Sequence, residues 1–178
     1  MKIKSVTKIC NSNKAIIIHD SGSCIWIGNG FCLYPLFHFT SLTEEQVFSL
    51  LDIASDKKEK YLINQTRSIG DISLEDSVKN EEFAEMSSIS IKCDGKILKP
   101  FYTKEDVIYI EEMMLAPFKD INKDDLFFFV RKVNKTTYIA VKTGFLLVGV
   151  ISPSHISSKT LEELEKILAA EINKQSNE

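Results

Sequence analysis

The chain contains three histidines and four cysteines, the side chains with the most direct route to nucleophilic or acid–base catalysis. His19 and Cys24 flank a short polar stretch, and a hairpin loop over residues 20–23 would place the two side chains opposite each other. A thiol beside an imidazole is one way to make a nucleophile. However, no local signature of a cysteine hydrolase surrounds Cys24. We therefore interpret both as packing residues and assign no catalytic residue.

The remaining histidines and the paired carboxylates also lack a catalytic context. His38 lies between phenylalanines and His155 lies in a serine-rich loop, and neither belongs to an HExxH or HxE motif. Adjacent carboxylates occur at 44–45, 111–112 and 124–125, but neighbours in sequence point apart on a helix or strand. Residues 111–112 lie in an otherwise apolar stretch. The sequence leaves open whether they meet a histidine in a pocket, which would favour an enzyme or a small-ligand-binding protein.

The cysteines have no CxxC spacing, which argues against a zinc site or a disulfide framework, and we predict no metal or cofactor. Reduced thiols are typical of a cytoplasmic protein. The amino-terminal residues lack the apolar segment of a secretory signal. No apolar run approaches the about 18 residues of a membrane span, so we expect no membrane partner.

The segment "CIWIGNGFCLYPLFHF" (24–39) is either a glycine loop around a phosphate or a hairpin. A phosphate loop runs into a helix, whereas Asn29-Gly30 is followed by another apolar run. We therefore predict a type I′ turn, with positive φ at both residues, that pairs Trp26 with Leu33. One face then carries Cys24, Trp26 and Leu33, and the other carries Ile25, Ile27, Cys32 and Tyr34.

The elements around this hairpin follow from local patterns. Residues 2–9 and 15–19 alternate like strands. Thr43 and Gln46 form a capping box, with Leu42 and Val47 as its hydrophobic staple, which begins a helix. A second, more polar helix is expected from Ser55 onward.

Residues 67–87 differ in composition from the rest of the chain. Between residues 71 and 85 there are six acids and one lysine. We interpret this acidic stretch as a solvated loop or linker whose removal the fold tolerates. The alternative is an acidic segment that docks on a basic partner. Its few apolar residues are Ile72, Leu74, Val78 and Phe83. The last three approximate helical spacing, and a short docked helix would make removal costly.

The second half returns to strands. Asp94-Gly95 predicts a type I′ hairpin. Residues 104–116 are ambiguous between helix and strand, and we favour a strand that ends before Pro117. A three-stranded meander follows at 126–133, 136–142 and 145–151. One face of the meander carries Phe128, Val130, Ile139, Val141, Leu146, Val148 and Val150. The other carries Phe127, Phe129, Arg131, Tyr138, Lys142, Phe145 and Leu147.

The second face of the meander is apolar and aromatic and needs a cover. We expect a C-terminal helix, begun by a Thr160–Glu163 capping box, to provide it. The fold class predicted is α+β: a mainly antiparallel sheet built from hairpins and the C-terminal meander, with two central helices and a closing C-terminal helix. We predict a single domain over residues 1–178, in which the acidic loop or linker at about 67–87 divides an N-terminal hairpin and helix part from a C-terminal sheet and helix part.

Composition narrows the functional classes without selecting one. A hydrophobic fraction of 44% with 26% charged residues is ordinary for a folded protein, and the net charge of −3 provides no general attraction for nucleic acid. Binding of single-stranded nucleic acid is a weaker alternative, because aromatic side chains lie on the same strand face as Arg131 and Lys142. Twenty lysines stand against two arginines, a usage typical of an AT-rich bacterial or mobile-element genome.

By elimination, the sequence predicts a non-catalytic, soluble protein-interaction module. Both faces of the 24–35 hairpin are apolar, and we expect one of them to remain uncovered and to bind a protein partner or a second copy in a homodimer. The interaction residues predicted are Trp26, Tyr34, Phe37 and Phe39.

Overall fold

The computed structural model describes residues 2–156 and residue 160. Its secondary structure is mixed, and its sheets are mostly antiparallel, which confirms the predicted class at this level. The helices are α1 (Ile3–Asn13) and α2 (Glu44–Leu50), with 3-10 helices at Ser55–Lys60, Glu112–Phe118 and Lys123–Asp125. The strands are β1 (Ala15–Asp20), β2 (Ile25–Gly28), β3 (Cys32–Leu36), β4 (Leu62–Thr66), β5 (Glu82–Phe83), β6 (Glu85–Met86), β7 (Ile91–Cys93), β8 (Lys96–Tyr102), β9 (Val107–Glu111), β10 (Leu126–Val133), β11 (Thr136–Thr143) and β12 (Leu146–Ile151).

The large sheet has eight strands in the order β4-β1-β2-β3-β12-β11-β10-β5. Its strands come from both ends of the chain, because β3 pairs with β12 at its centre. The small sheet has four strands, with β6 and β7 on one edge of β8 and β9 on the other. Asp94 and Gly95 both have positive φ, 48° and 76°, which confirms the predicted turn between β7 and β8. None of the helices among the described residues is long and apolar enough to cross a membrane.

The first predicted strand is wrong, because residues 3–13 form the helix α1. Val6, Ile9 and Cys10 are buried and recur at helical spacing, with Ile3 packed beside them. The alternation of apolar and polar residues at positions 2–9 is also typical of a strand, which explains the wrong prediction. Packing of the apolar side chains favours the helix instead, and a hydrogen bond from the Lys2 N–H to the Pro117 carbonyl (3.0 Å) holds its start.

The hairpin faces were predicted correctly, but the registers were not. Ile27 pairs with Tyr34 rather than Cys32, and His19 pairs with Trp26 rather than Cys24. Each partner moves by two residues, and a shift of two leaves every side chain on its original face. Cys24, Trp26 and Leu33 therefore share one core, and Ile25, Ile27, Cys32 and Tyr34 share the other.

The Asn29 side chain explains the longer loop between β2 and β3. Its Oδ1 accepts hydrogen bonds from the Phe31 N–H (3.0 Å) and the Cys32 thiol (3.3 Å), which closes an Asx-type turn. Only Gly30 of the predicted pair has a positive φ, 91°. A Cβ on Gly28 would lie 1.6 Å from the Cys32 carbonyl oxygen, so the backbone crossing at this point requires glycine.

The predicted helix at residue 43 is confirmed as α2, with both hydrogen bonds of its capping box. The second helix is shorter than expected, because Ser55–Lys60 is a 3-10 helix and Leu62–Thr66 is the strand β4. β4 pairs in parallel with β1, and the Leu62 N–H donates to the Lys14 carbonyl at 2.8 Å. Long-range pairing with β1, which local periodicity does not report, determines the conformation of residues 62–66.

The meander strands lie within one residue of their predicted bounds. Of the ambiguous residues 104–116, only Val107–Glu111 form the favoured strand, because Glu112–Phe118, with Pro117 inside it, is a 3-10 helix. A β-bulge at Val148 changes the face assignment: Val141 pairs with Gly149, but Lys142 pairs with Leu147. Val150 therefore packs with Trp26 and Leu33 instead of Val141, and Leu146 is exposed. These two residues correct the predicted core face.

Two cores cover the two faces of the large sheet. The main core lies between this sheet, the helices and the small sheet. The second core, on the opposite face, contains Trp26, Leu33, Tyr138, Leu147 and Val150 and is covered by Ile69, Ile72 and Leu74. The acidic stretch thus takes the position predicted for the C-terminal helix. That helix, apart from Thr160, lies outside the described residues.

Candidate functional site

Residues 69–81, here called the strap, cross the second face of the large sheet. They are largely irregular, as expected for the acidic stretch, but they are attached to the sheet by apolar and polar contacts. Ile72 and Leu74 pack on the second core. The Tyr138 hydroxyl accepts a hydrogen bond from the Ser73 N–H (2.9 Å), and the Asp76 carboxylate accepts one from the Leu147 N–H (2.8 Å). The strap is therefore part of the fold rather than a free linker.

Arg131 on β10 provides the main attachment. Its side chain has no exposed surface, although arginine is rarely fully buried. The guanidinium donates to the carbonyls of Ser73 (3.1 Å), Glu75 (2.9 Å) and Asp76 (3.1 Å). Its Nε donates to the Glu81 carboxylate at 3.0 Å, and a terminal nitrogen lies 2.9 Å from the same oxygen. One planar cation thus fixes four residues of the strap.

Glu81 joins Arg131 to a second buried cation. Lys142 donates to the other Glu81 oxygen and lies 4.6 Å from the centre of the Phe129 ring. Burial by itself would raise the pKa of Glu81, but the hydrogen bonds from Lys142 and Arg131 outweigh it and hold that pKa below its ordinary value. Both cations of the expected nucleic-acid face are therefore buried, and both are paired with the single carboxylate of Glu81.

The four predicted interaction residues do not form one surface. Trp26 lies in the second core and Tyr34 in the main core, where its hydroxyl donates to the Met114 carbonyl at 2.6 Å. Their exposed fractions are 3% and 0%, so Tyr34 is out of reach of a partner, and Trp26 is reached only where its small exposed part lines a groove. Phe37 and Phe39 follow β3 and are exposed. Both hairpin faces are covered, contrary to the sequence-based expectation, because the strap packs on one, and α1 and the 3-10 helix Glu112–Phe118 pack on the other.

The strap leaves a groove between itself and one end of the large sheet, here called the end groove. Its volume is about 590 Å³. Trp26, Leu74 and Leu147 line its apolar interior, and Phe37 and Leu146 line it from exposed positions. Phe37 and Leu146 come together because β3 and β12 are antiparallel neighbours. Leu33 pairs with Val150, and from that pair both strands extend toward the same end of the sheet, where Phe37 and Leu146 lie.

The polar part of the end groove is acidic. Glu75 and Asp76 line it and are exposed, together with Ser21 and Ser23, and none of the described residues that line it is Lys, Arg or His. Phe145, the residue before Leu146, is 90% exposed at the turn between β11 and β12. Apolar and acidic groups are thus presented side by side at this end of the sheet.

A second groove, here called the side groove, lies on the other side of the strap. Its volume is about 210 Å³. Ile17, Leu33 and Val150 line it from the sheet, and Ile69 and Ile72 line it from the strap. The polar residues that line it are uncharged: Asn64, Thr66, Ser68 and Ser152. None of its described lining residues is Asp, Glu, Lys, Arg or His.

The residues considered for catalysis do not form a common site. Glu111 pairs with Lys96 at 3.0 Å, and Glu112 accepts a hydrogen bond from the Ser90 hydroxyl at 3.0 Å. The cavity that these two glutamates line contains no histidine. His19 is buried in the large sheet, with no described partner for its Nδ1. In the part of the chain that the structure describes, no group of three or more potential ligands is placed to hold a metal ion.

The buried thiols of Cys10 and Cys32 are poor nucleophiles. Cys10 donates to the Gly28 carbonyl and Cys32 to the Asn29 side chain. Burial raises the pKa of each thiol to about 12, and for Cys10 the neighbouring Cys32 adds to the rise. Both thiols are therefore protonated at neutral pH, and the thiolate that attacks an electrophile is absent.

Sequence reasoning missed the Glu81–Arg131–Lys142 cluster and the acidic groups of the end groove. The sequence did contain a signal, because two cations on an apolar strand face need anions as partners, and the acidic stretch contains more anions than cations.

Comparisons with protein-family models, with curated proteins and with solved structures found no match for this chain.

Proposed function

We propose that the chain is a non-catalytic protein-interaction module that binds its partner through the end groove and the adjacent Phe145. The observation that supports this proposal is the exposure of Phe145 (90%), Phe37 (46%) and Leu146 (43%) at one end of the large sheet. Contiguous exposed apolar groups mark interaction surfaces more often than isolated ones do. Aromatic side chains beside a groove are also favoured anchors of protein interfaces.

The support of this surface by the fold strengthens the proposal. Phe37 and Leu146 follow or belong to central strands of the large sheet, and the strap is fixed by Arg131. A surface held in one conformation loses less entropy when it binds. Among the described residues, Glu75 and Asp76 are the only charged side chains of the end groove, and the side groove is lined by no Asp, Glu, Lys, Arg or His, so neither groove pairs an acid with a base.

Site-specific photocrosslinking tests the proposal. A photoreactive amino acid replaces Phe145 in one variant and Leu62 in the control, because Leu62 is also exposed (72%) but lies on the edge strand β4. We expect position 145 to give a discrete protein adduct in a lysate of the host cells and position 62 to give none. The adduct is identified by mass spectrometry, and the purified partner is titrated against the wild type and Phe145→Ser. Equal binding by the two proteins, or no adduct specific to position 145, would contradict the proposal.

A homodimer is the simplest form of this function, and sedimentation velocity tests it. Concentration-dependent dimerisation that Phe145→Ser weakens and Leu62→Ser does not would identify the second copy as the partner. A monomer at all concentrations would leave a different protein as the partner.

The side groove supports a second candidate function, the binding of a small neutral ligand. Its apolar walls and uncharged polar rim are the usual composition of small-molecule sites. The neutral dye N-phenyl-1-naphthylamine should fluoresce on binding there, and Thr66→Trp should reduce the signal by filling the rim. A signal that Thr66→Trp leaves unchanged would argue against this candidate.

A further inference from the structure

Glu75 and Asp76 carry negative charge that the described part of the chain does not compensate. Neither carboxylate has a salt-bridge partner among the described residues, whereas Glu81, farther along the strap, has two. One oxygen of Asp76 accepts the Leu147 N–H. The side chains of Glu75 and Asp76 are exposed where they line the end groove.

Arg131 holds these two carboxylates in place without neutralising them. It binds the backbone carbonyls of Glu75 (2.9 Å) and Asp76 (3.1 Å), and its charge is already paired with Glu81. The backbone that carries both acids is thus fixed on its inner side. Their positions relative to Phe37 and Leu146 are set before any partner arrives, which lowers the entropy lost on binding.

We propose that the end groove binds an extended segment of a different protein in which basic residues flank large apolar ones. This inference rests on the proposed function and specifies its partner. The apolar side chains of the segment would fill the interior formed by Trp26 and Leu147, between Phe37 and Leu146. Its Lys or Arg side chains would pair with Glu75 and Asp76, which gives electrostatic complementarity.

A second copy of the chain fits this surface less well. A symmetric dimer brings the same patch of both copies together around the two-fold axis. Glu75 and Asp76 of one copy would then lie near the same residues of the other, and like charges at an interface oppose association. Within the described part of the chain, the lining of the groove contains no basic side chain that would relieve this repulsion.

Fluorescence anisotropy with two designed probes tests the inference on the full chain. One probe is a fluorescein-labelled nine-residue peptide with Phe and Leu between lysines, and the other has Glu in place of every Lys. We expect the basic probe to bind more tightly and the chain's single tryptophan, Trp26, to change its emission on binding. Raising the salt concentration from 50 to 500 mM should weaken binding of the basic probe, because ions screen exposed charge pairs.

Charge-neutral variants assign the binding to the groove. The double substitution Glu75→Gln and Asp76→Asn should weaken binding of the basic probe about fivefold. Phe37→Ser should weaken it about tenfold, because a large apolar anchor is lost. Glu105→Gln, in the exposed turn between β8 and β9, removes a similar charge elsewhere and should leave the affinity unchanged.

Equal affinity for the two probes, or equal weakening by Glu105→Gln and by the groove variants, would overturn the inference. Failure of the basic probe to bind would overturn it as well. The proposed function would survive these results if photocrosslinking at position 145 still captured a partner, such as a second copy. A partner captured there whose contact segment is acidic would likewise support the function and contradict the inference.

Discussion

Arg131 lies on an apolar strand face with no exposed surface, in contact with three backbone carbonyls and one carboxylate. Exchanging it for an apolar residue removes the cation but leaves its partners. The carbonyls then lose their hydrogen bonds, and Glu81 keeps only Lys142. Breaking a buried ion pair on one side costs more than the pair contributes when intact, because the remaining group stays buried without a partner.

We therefore expect Arg131→Met to lower the free energy of unfolding by about 3–5 kcal/mol. The chain offers a matched control in its other arginine. Arg67 is 90% exposed and lies 3.8 Å from Asp20, so Arg67→Met should change stability by less than about 0.5 kcal/mol. Urea titrations of the three proteins measure both values. Equal effects of the two substitutions would mean that the strap does not depend on Arg131.

Glu81 should make stability depend on pH in the acidic range. Its pKa lies below the ordinary value of 4.5 in the folded protein. When the pH falls below about 4.5, the unfolded chain binds the proton first, and the stabilisation from ionised Glu81 is lost as the pH passes through the folded pKa. The difference in unfolding free energy between wild type and Glu81→Gln should thus be constant at higher pH and shrink below pH 4.5. A constant difference down to pH 3 in urea titrations would contradict this.

The sequence indicated which charged side chains needed oppositely charged contacts, but not which residues provide those contacts. Arg131 and Lys142 were assigned to the second face from strand alternation alone. Their partners lie at least 50 residues away, in a segment without periodicity. Neither propensity nor spacing specifies the path of an irregular segment, so these contacts required the structure.

The strap is the element whose interpretation changes most. The acidic stretch was expected to tolerate removal, but Ile72 and Leu74 pack on the second core and four strap residues contact Arg131. An exposed loop with these attachments contributes to stability in the same way as a short strand or helix does.

Replacing residues 69–81 by a Gly/Ser segment of equal length should lower the melting temperature by about 10 °C or more. The replacement exposes the second core and leaves Arg131 and Lys142 buried without an anion. Glu75→Gln with Asp76→Asn is the control, because it keeps the backbone and the apolar side chains, and its melting temperature should stay within about 2 °C of wild type. Differential scanning calorimetry measures both. Similar melting temperatures for the replacement and the wild type would restore the linker interpretation.

Elements with a complete local signature were predicted well. The capping box specified the start of α2, and turn residues gave the β7–β8 hairpin and the meander. The wrong predictions concern segments whose conformation depends on contacts with residues distant in sequence. Packing selected the helix at residues 3–13, β1 selected the strand β4, and the bulge at Val148 moved Val150 to the other core.

The large sheet combines the first and the last of the described strands. β3 and β12 are neighbours at its centre, and the main core draws residues from every part of the described chain. Neither half can therefore complete its hydrophobic faces alone. This arrangement predicts one cooperative unit.

Fragments 1–66 and 67–178 should each be unfolded in isolation and should fold when mixed. The cut before Arg67 lies in an exposed loop and leaves all strands intact. Amide dispersion in two-dimensional NMR spectra measures folding of each fragment and of the mixture. A dispersed spectrum from either fragment alone would indicate a division into two independent units.

The central pairing of β3 with β12 also sets a delay during synthesis on the ribosome. Leu33 pairs with Val150, so the nascent hairpin must wait while 117 more residues are added (150 − 33). At about 5–20 residues per second, this takes about 6–23 s. Throughout that time the edge of β3 and the apolar residues of both hairpin faces lack their final neighbours. Newly made chains are therefore expected to engage holding chaperones before release, at two strands that are buried in the finished molecule.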